Sequence, residues 1–134
     1  MAIYVMNLSR DEKVNVVAGK WAAANRATPV DLGAHSARRR IENIDQGDTL
    51  VVVAHGSDNF IGASGNEFEL NPTAFANALI QQGLKNKTHV VLAACSSDIF
   101  ATALQTAIRK NQTHNLVTCA GQQGVFELTA NFAP

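Results

Sequence analysis

Thr49-Leu50-Val51-Val52-Val53-Ala54 is a continuous apolar run that ends on His55-Gly56-Ser57-Asp58-Asn59. An unbroken run of this length is the pattern of a strand covered on both faces, because a strand with one wet face alternates apolar and polar residues. A second such run, Thr88 to Ala94, ends on Cys95-Ser96-Ser97-Asp98. Working outward, Ala2 to Leu8 reads as another buried strand, Thr28 to Leu32 as a short one limited by Pro29, and Asn115 to Ala120 as the last core strand. Val125 to Leu128 is expected to add an edge strand.

Helical spacing fills the intervals. Val14, Val17, Ala18, Trp21 and Ala22 form a three-and-four stripe within Arg10 to Ala27, with Ser9 as the expected N-cap. Ala37 to Ile44 reads as a short helix broken by Gln46-Gly47-Asp48. Phe60 to Leu70 is Gly-rich and reads as a hairpin around Ser64-Gly65-Asn66. Asn71 to Gln82 has a cap in Asn71, Pro72 in its first turn and Gly83 as its stop. Ile99 to Lys110 carries Ile99, Ala103, Leu104, Ala107 and Ile108 on one stripe, with Asp98 as the expected cap.

Strands alternating with helices of this length predict one small α/β domain over residues 1–134, a doubly wound and mostly parallel sheet with helices on both faces. Right-handed crossovers make the strand order 2-1-3-4-5 the economical one. That order makes the strands ending at His55 and Cys95 neighbours, and ligands in open α/β sheets bind beyond such carboxyl ends.

A thiol becomes a useful nucleophile when a base or positive neighbour favours its thiolate. Histidine supplies that chemistry near neutral pH. Parallel strands lie about 4.8 Å apart, so side chains just past their ends are within reach of one bridging atom. Gly56 and Cys95 would contribute backbone N–H groups to an oxyanion hole. Ala94 and Ser96 are small and would leave the thiol accessible.

A hydrophobic strand ending in His-Gly, followed by one ending in a small residue and Cys, resembles the caspase-like superfamily of cysteine peptidases (clan CD), which includes caspases, clostripain, gingipains and legumain. Here the two halves read Leu50-Val-Val-Val-Ala-His55-Gly56 and Val90-Val-Leu-Ala-Ala94-Cys95-Ser96, with the two residues 40 positions apart; roughly 50 separate them in caspases. The order also resembles the autoprocessing cysteine protease domains of large bacterial toxins, in which a His-Gly strand precedes a Gly-rich hairpin, a helix and a Gly-Cys-Ser strand end. The resemblance covers about Thr49 to Cys119. It implies Cys95 as nucleophile, His55 as general acid or base and Gly56 as an oxyanion donor, acting on a protein or peptide substrate.

The chain departs from the family in two places. Caspases carry Gln two residues before the cysteine and clostripain-like enzymes carry Asp; this chain has Ala93, which points to an apolar or small side chain beside the scissile bond. Only 15 residues follow Cys119, so loops that hold substrate in larger relatives are shortened or missing. These departures favour the alternative of a catalytically silent caspase-like domain that binds or scaffolds a partner protein.

The remaining features exclude more than they assign. Lys plus Arg equals Asp plus Glu, giving a formal net charge of +0 and no general electrostatic reason to bind nucleic acid or an anionic membrane. No apolar run is long enough to span a bilayer and no secretory signal is visible, so a cytoplasmic location is expected unless export uses another route. Cys95 and Cys119 are expected as free thiols, Cys119 buried. His35, His89 and His114 lack metal-ligand spacing, and no nucleotide motif occurs, so neither a metal nor a cofactor is expected. Arg38-Arg39-Arg40 reads as an exposed helix face. Asp58 and Asp98 follow the two loops closely, where either would orient His55 or bind a basic substrate side chain, although capping is the expected role of Asp98.

Overall fold

The strand and helix pattern resolves into two sheets and three helices in a computed structural model that describes residues 2–9, 11–30, 41–62, 69–129 and 131–134. In chain order the elements are β1 (Ile3–Asn7), α1 (Glu12–Asn25), β2 (Thr28–Val30), β3 (Thr49–Val53), β4 (His55–Gly56), β5 (Ile61–Gly62), β6 (Glu69–Leu70), α2 (Pro72–Gln81), β7 (His89–Ala93), α3 (Asp98–Arg109) and β8 (Thr118–Ala120). The main sheet has five strands in the order β2-β1-β3-β7-β8, all parallel. Counting only these strands, that is the expected 2-1-3-4-5 order of a small doubly wound α/β fold.

The strands alternate by residue parity, and that alternation decides which helix each residue meets. Val5, Val51, Val53, Val91 and Ala93 pack with Ala18, Trp21 and Ala22 of α1. Met6, Leu50, Val52, Val90 and Leu92 face the other way, onto Phe75 and Leu79 of α2 and Phe100, Leu104 and Ile108 of α3. Phe75 and Phe100 meet across the α2–α3 contact at a centroid separation of 6.4 Å. Both sheet faces are therefore covered, as the unbroken Val runs require.

Several local expectations change. Asp11, not Ser9, caps α1: its side chain accepts from the Lys13 N–H, while the Ser9 hydroxyl accepts from the Asp11 N–H at 3.1 Å. α2 begins and ends as expected, with Asn71 accepting from the Ala74 N–H. The α3 stripe is shifted, because the larger Phe100 takes the core with Ala101, Leu104 and Ile108 while Ile99 stays 56% exposed. Asp98 lies in the first turn of α3, not at its cap; the cap position is Ser97. The described part of the expected 37–44 helix, Ile41 to Ile44, is no helix: Ile41 to Asn43 form a turn. Val125 to Leu128 forms no strand; Phe126 and Leu128 instead pack with Phe132 against the α1-facing core.

His55-Gly56 was expected to begin a loop. It is a short strand pairing antiparallel with β5, which pairs in turn with β6, so a three-stranded second sheet grows from the end of β3. Residues 63–68, which include the expected Ser64-Gly65-Asn66 turn, lie outside the described residues, as do His35 and the Arg38-Arg39-Arg40 run. No helix among the described residues is long and apolar enough to cross a membrane.

Candidate functional site

β3 and β7 run in register from Thr49 opposite His89 to Val53 opposite Ala93. The Ala54 N–H extends this pairing by donating to the Ala93 carbonyl at 3.5 Å. His55 and Cys95 therefore leave the sheet at equivalent positions. Both line one groove of about 230 Å³. Its floor is Val53 and Ala54 with His55, and Ala93 and Ala94 with Cys95. One wall is α1, through Lys13, Val14 and Val17; the other is the C-terminal segment, through Phe126, Glu127 and Leu128. Continuing the parity of Val53 and Ala93, the residues at 55 and 95 meet the α1 side of the sheet.

The C-terminal wall was missed by the sequence reading, which assigned these residues to an edge strand. Phe126 holds the Cys95 thiol with both of its backbone groups. Its N–H donates to Sγ at 3.2 Å, and the thiol donates to its carbonyl oxygen at 3.3 Å. This segment is anchored by aromatic packing. Phe126 and Phe132 meet edge to face at 5.2 Å, Phe132 lies 5.9 Å from Trp21, and the Trp21 indole N–H donates to the Phe132 carbonyl at 2.9 Å. The only sequence signal for this anchor was the apolar spacing of Phe126, Leu128 and Phe132.

The turn after Cys95 is held as tightly. Ser96 has φ of 47°, a left-handed conformation that reverses the chain between β7 and α3. Its N–H donates to the Gly124 carbonyl at 2.7 Å, and the Ser97 and Asp98 N–H groups share the Gln122 carbonyl at 2.8 and 3.2 Å. The Ser97 hydroxyl donates to the Ala94 carbonyl at 2.7 Å and accepts from the Gln122 N–H at 2.9 Å. The N–H groups of the turn into α3, through its first residue Asp98, are thus taken by the protein's own chain, leaving Cys95 on a fixed corner. Its own N–H has no acceptor among the described residues.

Gly56 packs directly over that corner. A Cβ there would lie 2.7 Å from the Cys95 carbonyl oxygen and 2.9 Å from the Ala94 Cβ, so only glycine lets β4 approach this closely. The Ser57 N–H donates to the Phe60 carbonyl at 2.9 Å and closes the β4–β5 turn. Counting back through the antiparallel alternation makes His55–Gly62 the bonded pair and Gly56–Ile61 the non-bonded one. The Gly56 N–H accordingly points away from β5 and is not spent on the hairpin.

His55 separates two spaces. Besides the groove with Cys95, it lines a cavity of about 100 Å³ together with Gly62 and Glu69. Its Nε2 is buried and has no hydrogen-bond partner among the described residues. The imidazole and the thiol share the groove, and the thiol's hydrogen bonds run to Phe126. Asp58 sits exposed in the β4–β5 turn and Asp98 opens α3; among the described residues neither bonds to His55.

The second cysteine has no part in this arrangement. Cys119 lies opposite Val90, well down β7 from Cys95, and both cysteines are free. Burial pushes the Cys119 thiol up to about 12, against a smaller opposing pull from the Arg109 guanidinium. It stays a neutral thiol at physiological pH. A scan against protein-family models finds no match to this chain, and a search of curated proteins finds none either.

Proposed function

We propose that this chain is a caspase-like cysteine endopeptidase, acting on a protein or peptide substrate or on itself, with a Cys95–His55 dyad. The observation that carries the reading is the equivalent placement of His55 and Cys95 at the ends of adjacent parallel strands, facing one groove. Cys95 gives its proton to His55, and the sulfur attacks the substrate carbonyl carbon to form a tetrahedral oxyanion. The N–H groups of Gly56 and Cys95, neither consumed by the surrounding secondary structure, suit the role of oxyanion donors. Collapse of the intermediate breaks the C–N bond as His55 protonates the leaving amine. Water then hydrolyses the thioester and restores the thiol. In this cycle the substrate carbonyl displaces Phe126 from the sulfur.

The groove supports an apolar side chain next to the scissile bond, because Val14, Val17, Val53, Ala54, Ala93 and Ala94 line it and its charged groups, Lys13 and Glu127, belong to the walls. The test is cleavage of unfolded protein substrates and of the chain itself, read as new termini by mass spectrometry. Wild-type protein yields defined new termini and Cys95→Ala yields none while keeping its far-UV spectrum. Identical termini from the Cys95→Ala protein contradict the mechanism.

A second reading rests on the thiol's own bonds. Because Cys95 is held by both backbone groups of Phe126, a non-catalytic caspase-like domain that binds a partner protein would use the thiol as an internal fastener. In that case partner binding survives Cys95→Ala and Cys95 alkylates no faster than an ordinary thiol.

A further inference from the structure

His55, Gly62 and Glu69 form one cross-strand row of the small sheet: His55 is paired with Gly62, and Gly62 with Glu69. Directly paired residues project to the same face, so the imidazole and the carboxylate stand on one side of the sheet with a glycine between them. Their backbones are two strand spacings apart, about 10 Å, and the gap is open in this structure: the buried His55 Nε2 has no partner among the described residues and Glu69 is exposed, so pairing takes a turn of the Glu69 side chain toward the ring. No side chain at position 62 stands in the way. Both residues line the same cavity of about 100 Å³, which shares His55 with the groove but none of the α1 residues.

We propose that Glu69 is a positioning residue for His55, its carboxylate pairing with the imidazole across Gly62 and making the dyad a Cys95–His55–Glu69 relay. The proposal rests on the peptidase reading for its purpose. A carboxylate here favours the imidazolium, and therefore the imidazolium–thiolate pair, over the neutral pair at pH near 7. It also fixes the ring's orientation, the role that the sequence reading offered to Asp58 and Asp98. Among the described residues, the other titratable or charged groups around the ring are Cys95, Lys13 and Glu127 in the groove, the last two of opposite charge, and the exposed Asp58 in the adjoining turn.

The test is a proton NMR titration of the His55 ring in wild type, Glu69→Gln and Glu69→Asp, with the resonance assigned by its loss in His55→Ala. Glu69 is exposed at the start of a two-residue strand, so the isosteric amide leaves the fold in place. The expected result is a His55 midpoint lower by about 0.5 units or more in Glu69→Gln, with the charge-conserving Glu69→Asp recovering part of the shift. In parallel, Cys95 alkylation at pH 7 slows in Glu69→Gln by about threefold or more, the same change read as thiolate population. A His55 midpoint unchanged in Glu69→Gln overturns the pairing, whatever Cys95 does. A midpoint that shifts with Glu69, beside a Cys95 indifferent to His55→Ala, upholds the pairing and overturns the peptidase reading instead.

Discussion

A methyl group at Gly56 would sit 2.7 Å from the Cys95 carbonyl oxygen, against backbone that Ser96 and Ser97 tie to residues 122 and 124. Neither side can yield cheaply. Gly56→Ala should therefore cost about 1–3 kcal/mol, the usual range for overpacking, and push β4 and His55 away from the Cys95 corner. Urea denaturation gives the first quantity. Alkylation of Cys95 gives the second, expected to lose its dependence on His55. The motif His55-Gly56 was readable in the sequence as chemistry, with the glycine assigned to an oxyanion hole. Its packing role was not readable, because nothing in the order of residues tells which other backbone segment will lie beneath a glycine. The same limit hid Glu69, which meets the His55 row only through the pairing of β5 with β6.

At the level of elements, the segment from Gly121 to Phe132 does what the sequence reading gave to an edge strand and to helix caps. Its carbonyls accept from the Ser96, Ser97 and Asp98 N–H groups that lead into α3, its Phe126 backbone holds the Cys95 thiol, and its aromatic rings lean on Trp21. The long apolar strands β3 and β7 were legible because a continuous Val and Leu run has few other uses. This segment was not, because its contacts are with α1 and with the β7–α3 corner rather than with its neighbours in sequence. Phe132→Ala removes the ring bridging Trp21 and Phe126 and should loosen the segment. Two modest hydrogen bonds to the thiol are together worth about 1–2 kcal/mol, so Cys95 should alkylate about tenfold faster in this variant. An unchanged rate would mean that the segment stays seated on the thiol without its aromatic anchor.

Across the whole molecule, the doubly wound order follows from the alternation of elements and the handedness of crossovers, and the structure bears out that order strand for strand in the main sheet. The order brings the ends of β3 and β7 together and leaves Cys119 in the middle of the short β8, at the opposite end of its neighbour from Cys95. The two thiols are thus in contrasting settings: Cys119 is held protonated by burial, pushed up to about 12, while Cys95 lines an open groove beside an imidazole. Alkylation of the folded protein between pH 6 and 8 therefore favours Cys95 over Cys119. The most direct test of the dyad is the rate of Cys95 alkylation by iodoacetamide across that range, in wild type and in His55→Ala, with the labelled residue located by peptide mass. The dyad predicts labelling that is already fast near neutral pH in the wild type and falls in His55→Ala to the slow, alkaline-shifted rate of an ordinary thiol. Equal and slow labelling in both proteins would contradict it.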